Sequence, residues 1–239
     1  MSLEVLQAAY QYEQARQKMQ QRGIDCADRL SPIEAAQEYL GKLKRVKIGD
    51  CRKSWDVLKT VQFIEKEVSH HSPVLDIGAF GSEILLILQR LNYQNLTGVD
   101  LDSRLNKMPQ PDKIRYVKSD FMHTPFEKVS FKAITAISVI EHGFDSQPLL
   151  TEVARLLVPG GYFIASFDFW PEKIDTDAVR VFDLDWRIFS KDEVCQFLKE
   201  AEEFKLNPVG ELNFEVSKPT VRWQRRNYTF AWLVLQKSY

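Results

Sequence analysis

The 239-residue chain is poor in cysteine, in single-sign charge and in long apolar runs. Its three cysteines, Cys26, Cys51 and Cys195, show no C-x-x-C spacing, which argues against a disulfide framework or a cysteine-built zinc site and favours a reducing, cytoplasmic setting. No metal centre is expected. With 32 basic and 33 acidic residues the net charge is -1, so the surface as a whole is not built to hold a polyanion, and nucleic acid is not the expected partner. No apolar stretch approaches the roughly 18 residues of a membrane-spanning helix, and the start MSLEVLQAAYQYEQ has neither a basic opening nor an apolar core of the kind export signals carry. Membrane attachment is not expected.

What remains is an ordinary globular composition, 44% hydrophobic and 27% charged, long enough for one generous α/β domain with an N-terminal extension. Leu3, Leu6 and Tyr10 recur at helical spacing and Gly23 follows as a stop. Ser31-Pro32-Ile33-Glu34 predicts a second, capped start, with Ala35, Tyr39 and Leu43 as its apolar stripe. The basic run Lys42, Lys44, Arg45 and Lys47, with Arg52 and Lys53 beyond it, reads as a solvated surface. Residues 1–53 are expected to form a helical extension, serving as a lid or a dimerisation element, and residues 54–239 the main domain.

From Ser54 the pattern alternates. A helix bearing Val57, Leu58, Val61, Ile64 and Val68 leads to a short strand, Val74-Leu75-Asp76-Ile77-Gly78. A second helix with Ile84, Leu85, Leu88 and Leu91 leads to the strand Leu96-Thr97-Gly98-Val99-Asp100. This is a βαβ unit, which implies a parallel sheet with right-handed crossover. Strands are then expected at 114–117, 133–140 and 162–167, a capped helix from Ser190, and β-rich pieces around 209–216 and 228–235 that form an antiparallel edge hairpin. The fold class is α/β, Rossmann-like and doubly wound, with a mostly parallel seven-stranded sheet.

Ligands of such sheets bind beyond the carboxyl ends of the strands. There the sequence places Asp76 to Ser82, with Gly78 and Gly81 where a backbone must turn sharply, and Asp100 about 24 residues later, where a carboxylate can accept both hydroxyls of a ribose. The glycine spacing is not the G-x-G-x-x-G of dinucleotide sites.

Val74-Leu75-Asp76-Ile77-Gly78, Gly98-Val99-Asp100-Leu101, Ser119-Asp120-Phe121 and Leu156-Leu157-Val158-Pro159-Gly160-Gly161 together resemble, in order, the motifs of class I S-adenosylmethionine-dependent methyltransferases. The likeness covers roughly residues 54–235. With Glu141-His142 after the fourth strand, it is nearest the small-molecule, ubiquinone-biosynthesis-type subgroup. The chain departs from the pattern at Ala79, where the family has another glycine, and at Lys132, where it has an aspartate.

The resemblance implies S-adenosylmethionine as cofactor. Asp76 would serve its amino-acid end, Gly78 and Gly81 would let the backbone approach it, Asp100 would hold its ribose, Asp120 would accept the adenine amino group and Phe121 or Leu101 would pack on that ring; Ser138 is a further cofactor-binding candidate. His142 is the candidate base, while Asp102 reads as a helix cap and His70 and His71 as surface residues at the wrong end of the sheet. Acceptor contacts are expected from Asp168, Trp170, Trp186 and Arg187, where aromatics mixed with charge suit a sugar or hydroxylated metabolite. Two rival readings are a nucleic-acid methyltransferase, suggested by Arg222, Trp223, Arg225 and Arg226, and a non-catalytic binding protein of the same fold.

Overall fold

The computed structural model describes residues 1–42, 45–143 and 145–239; Leu43 and Lys44, assigned above to a helical stripe and a basic run, lie outside the described residues. The chain opens with β1 (Leu3–Val5), α1 (Tyr10–Gln21), α2 (Pro32–Tyr39) and α3 (Ser54–Glu67). Then come β2 (Val74–Ile77), α4 (Ile84–Arg90), β3 (Leu96–Asp100), β4 (Ile114–Lys118), β5 (Phe131–Ile137), α5 (Ser146–Leu156) and β6 (Leu157–Phe169). Last are β7 (Arg180–Val181), β8 (Leu184–Asp185), α6 (Lys191–Glu203), β9 (Leu206–Pro208), β10 (Val221–Trp223) and β11 (Arg226–Lys237).

The sheet runs β1-β11-β6-β5-β2-β3-β4, seven strands in line, with β9 and β10 also paired to β11. Every pairing from β6 across to β4 is parallel, and β11 is antiparallel to β6. This is the doubly wound, mostly parallel arrangement that the alternating pattern predicted. Because β2 is flanked by β3 on one side and β5 on the other, the winding reverses between β2 and β5, and a crevice opens at their carboxyl ends. One apolar core, fed by α1, α3 and α4, covers one face of the sheet, and a second, fed by α5 and α6, covers the other.

Several elements differ from the sequence expectation. Leu3 and Leu6 are buried, but Leu3–Val5 pairs with β11 as a strand and the helix starts only at Tyr10, which is exposed. The outer edge of the long β11 carries unpaired N–H and C=O groups along its length, and three short segments, β10, β1 and β9, satisfy it in turn. The predicted edge hairpin is therefore built from β10 and β11 around Gln224 and Arg225, both at positive φ, while residues 209–216 form no strand. The capping box at Ser31 and Glu34 forms as expected, yet α2 buries none of its residues, so Ala35 and Tyr39 are not a core stripe. The strand expected at 133–140 stops at Ile137, because Ser138 adopts φ 55.

The N-terminal residues are tied to the glycine loop by a buried ion pair. Arg16 bonds both oxygens of Glu83 at 2.8 and 2.9 Å, Asp25 at 2.6 Å and Ser54 Oγ at 2.9 Å. Glu83 stands just before α4, directly after the loop, with its carboxylate on Arg16 rather than on the helix, and Gly49 N–H donates to Gly81 C=O at 2.7 Å. Removing Glu83 strips two guanidinium bonds and leaves the buried Arg16 with Asp25 alone of its two carboxylates, so Glu83→Ala should lose about 3 kcal/mol of stability in urea unfolding, whereas Arg16→Met with Glu83→Met should recover most of it. A loss under about 1 kcal/mol would show that this pair does not hold the loop.

Candidate cofactor and acceptor site

The site is built where β2, β3, β5 and β6 end. Gly78, φ 72, is needed for a second reason besides its dihedral: a Cβ there would collide with Val139 Cγ2, so the loop after β2 and the loop after β5 touch at this residue. Ala79 has its own partner, since a Cβ on Gly98 would lie 2.7 Å from the Ala79 methyl. The departure from the family pattern at this position is thus packing against β3. Gly81, φ 76, gives its N–H to Met108 Sδ at 3.2 Å.

Asp76 is buried at the end of β2. Its Oδ1 accepts from Thr135 Oγ1 at 2.6 Å, its Oδ2 meets no donor, and burial pushes the carboxyl up to about 7. Asp100 ends β3 half-buried and organises its surroundings: Oδ2 accepts the Phe80 N–H at 2.9 Å and Oδ1 the Asp102 N–H at 2.8 Å. Each oxygen keeps an unused lone pair. Leu101 beside it is 51% exposed, and the Arg104 guanidinium lies 4.6 Å from the Phe80 ring centroid. Asp102 caps the short helical turn at Ser103–Lys107, as expected. Asp120 is exposed and accepts the Met122 N–H at 2.9 Å, while Phe121 packs on the second core. These two stand beyond β4, on the far side of β3 from Asp76.

Across the crevice, the Ser138 N–H donates to Ser166, whose Oγ in turn donates to Asp56 Oδ2 at 2.7 Å. Asp168, at the end of β6, accepts the Trp186 indole N–H at 2.9 Å and pairs with Lys53 Nζ at 3.4 Å. The Lys53 ammonium also rests 3.3 Å from the Phe230 ring centroid. Burial, then the Asp168 charge, raises Glu141; burial lowers His142 to about 4, so its imidazole is neutral at physiological pH. Burial likewise lifts Asp56 to about 6. Trp186 stands edge-on to Trp223 at 4.8 Å and to Tyr228 at 5.7 Å.

The structure therefore brings Asp168, Trp186 and His142 together with Glu141, as His142 and Trp186 bridge through their backbones. Arg187 gives its N–H to Glu141 C=O at 2.8 Å, while its guanidinium lies 3.8 Å from Glu193 on α6. Trp170 is half-buried against the first core, its N–H on Phe189 C=O. Lys132 is at the opposite end of β5, bonded to Gly160 C=O at 2.7 Å, and His70 and His71 are exposed at the amino end of β2. Sequence reasoning missed Lys53 and Asp56. Their signal was a polar seam, Lys53, Asp56 and Thr60, at helical spacing along α3.

Among the described residues, five buried side-chain polar atoms lack a partner: Asp56 Oδ1, Asp76 Oδ2, Ser138 Oγ, Glu141 Oε2 and His142 Nδ1. All belong to this crevice. Buried polar atoms are normally paired, so the place to look for what pairs them is a ligand. Three carboxyls, Asp56, Glu141 and Asp168, surround a single lysine, which suits a cationic one. The raised carboxyls bind protons in the folded state that the unfolded chain has lost, so the stabilisation they give falls as pH rises from about 4 to about 7. His142, shifted down, acts in the opposite sense between about 4 and 6.5. Urea unfolding across this range should show a falling midpoint that Asp76→Asn flattens; an unchanged slope would mean that Asp76 is ionised in both states.

Residues 75–165 match a family described as a methyltransferase domain. Among curated proteins, the chain is 34% identical over 94 residues to cycloartenol-C-24-methyltransferase of Arabidopsis thaliana, covering 39% of this chain and 27% of that protein. It is 27% identical over 143 residues to 27-O-demethylrifamycin SV methyltransferase of Amycolatopsis mediterranei, covering 54% of this chain and 52% of that one. The chain thus spans between a quarter and about half the length of these relatives. A geranyl diphosphate methyltransferase solved with S-adenosylmethionine superposes with TM-score 0.54 at 15% identity, over 77% of this chain and 90% of that one, a likeness of fold. No helix among the described residues is long and apolar enough to cross a membrane. The matched methyltransferase-domain region lies across the strands that build the crevice, so this part of the chain is similar to methyltransferases and its fold is that of a solved S-adenosylmethionine-bound one.

Proposed function

We propose that the protein methylates a small polar organic acceptor, a sugar or hydroxylated metabolite, with S-adenosylmethionine as donor. The observation that carries this reading is the convergence of five unpaired buried polar atoms at the switch point between β2 and β5, around a surplus of carboxyls. The bound cofactor supplies a methyl group on a positively charged sulfur, already activated for transfer. The chain has to bind, orient and exclude water.

Asp100 has the lone pairs to accept a sugar diol without giving up Phe80 or Asp102. The exposed Leu101 and the half-buried Phe121 are the apolar surfaces for an adenine ring, with Asp120 as acceptor for its amino group. Gly78, Gly81, Asp76 and Ser138 line the approach to the amino-acid end. The acceptor is held by Asp168 and Trp186, with Trp170 and Arg187 at the margin, and a hydroxyl placed there meets an unprotonated His142 able to take its proton. Residues 1–53 cover the glycine loop, as the Gly49 to Gly81 bond illustrates, and residues 54–239 carry the chemistry. One relative's name specifies C-24 of cycloartenol and the other the 27-O of a rifamycin; the neutral histidine favours an oxygen acceptor here. A nucleic-acid acceptor is less well served, because the Trp223 ring is engaged with Trp186 and the Arg226 guanidinium with backbone carbonyls of Asp175 and Gln224.

Calorimetric titration with S-adenosylmethionine, S-adenosylhomocysteine and NADH tests the cofactor assignment: heat with either of the first two supports it, and heat with NADH alone overturns it. Asp100→Ala should weaken S-adenosylhomocysteine by about 1–3 kcal/mol, since buried hydroxyls would lose their acceptor. His142→Ala should leave that affinity intact and lower turnover. In the wild type, the acid limb of kcat/KM assigned to His142 should fall below pH 5, as its downward shift requires; a limb near 6.5 would place the base elsewhere.

A further inference from the structure

Asp56 is a buried carboxyl that the fold leaves half used. It lies in the first turn of α3, wholly inaccessible, with Oδ2 on the Ser166 hydroxyl at 2.7 Å and Oδ1 on nothing. Lys53, one turn earlier, makes its ion pair with Asp168 instead. Serving Ser166 does not require an acid, since an amide oxygen would accept that hydroxyl equally well. An acid here carries the desolvation cost of burial, offset only in part by the charge of Lys53, which it shares with Asp168 and Glu141, so a further cation would complete the balance.

Its surroundings say where that cation comes from. The Ser166 hydroxyl also accepts the Ser138 N–H at 3.2 Å, so the Asp56 carboxyl is one hydroxyl away from the loop after β5. Ser138 is held at φ 55 with its own Oγ buried and unpaired, and the next residue, Val139, presses on Gly78 in the loop after β2. Ser138, next to the residue that meets the glycine turn, and Asp56, one hydroxyl behind it, thus offer two unsatisfied acceptors from two separate elements.

We propose that Asp56 is a cofactor-binding residue: its unpaired oxygen, with the Ser138 hydroxyl, receives the α-ammonium group at the amino-acid end of S-adenosylmethionine. An ammonium brings three donors and one positive charge, which satisfies both orphan acceptors and neutralises the acid. The inference rests on the methyltransferase reading and deepens it, assigning to an element upstream of β2 a contact that neither the glycine loop nor Asp100 provides.

The test compares two probes on the full chain by calorimetry: S-adenosylhomocysteine, and 5′-methylthioadenosine, which keeps the adenosine and the sulfur but lacks the amino-acid end. Asp56→Asn should weaken S-adenosylhomocysteine about tenfold or more, the scale of one charge-assisted hydrogen bond, and leave 5′-methylthioadenosine unchanged. The ligand-free Asp56→Asn protein should melt no lower than the wild type at pH 7.5, a result that a purely structural acid would not give. If that variant does not fold, Ser138→Ala should show the same selectivity, to a smaller extent. Equal losses for both probes, or an unchanged S-adenosylhomocysteine affinity, overturn the proposal. A wild type that binds neither probe overturns the methyltransferase reading with it, whereas one that binds both equally overturns the proposal alone.

Discussion

Four carboxyl groups are buried together, Asp76, Glu141 and Asp168 near the carboxyl ends of the strands and Asp56 on α3 beside them, and among the described residues only Asp168 of the four has a cation within ion-pair distance. Burying ionisable groups without partners is among the more expensive things a chain can do, and it is tolerated when the same groups are needed to meet a ligand. Much of the architecture serves to hold this arrangement. Gly78 lets Val139 come close enough to join the loops after β2 and β5, Ser166 ties β6 to α3, and Trp186 closes over Asp168. On the proposed function, a cationic cofactor would offset this imbalance.

That imbalance is offset elsewhere in the molecule. The Arg16, Glu83, Asp25 and Ser54 network is fully paired, and it fixes the start of α4 directly after the glycine loop. Below the sheet's working end, β2 and most of β5 and β6 are buried on both faces, so strands of little intrinsic length are locked by packing from two cores. A rigid platform under a polar, incompletely paired crevice is the arrangement a transfer reaction requires when most of its catalysis is positioning.

Legibility in the sequence followed the range of the interaction. The βαβ alternation, the capping boxes at Ser31 and Ser190, the glycine turn and Asp100 at a strand end are local patterns, and each appears in the structure where periodicity placed it. Leu3 to Tyr10 misled because helical spacing and a short edge strand are indistinguishable over eight residues; the decision belongs to β11, more than 220 residues away, whose edge needs a partner. Trp170 and Arg187 shared a segment with Asp168 and Trp186, but side chains of one irregular loop point in several directions, and nothing local tells which of them face inward.

By itself the sequence determined the order of the parallel strands and the helices between them, the parallel character of the sheet and the presence of acids and glycines at its carboxyl ends, because hydrophobic period and turn chemistry act over a few residues. Only the tertiary structure decided that Lys53 and Asp56, in a helix upstream of every motif, stand beside Ser138 and Ser166, and that five polar atoms there lack partners. Burial and hydrogen-bond satisfaction are properties of what surrounds an atom in space. No spacing along the chain encodes them until the sheet has brought its distant strand ends together.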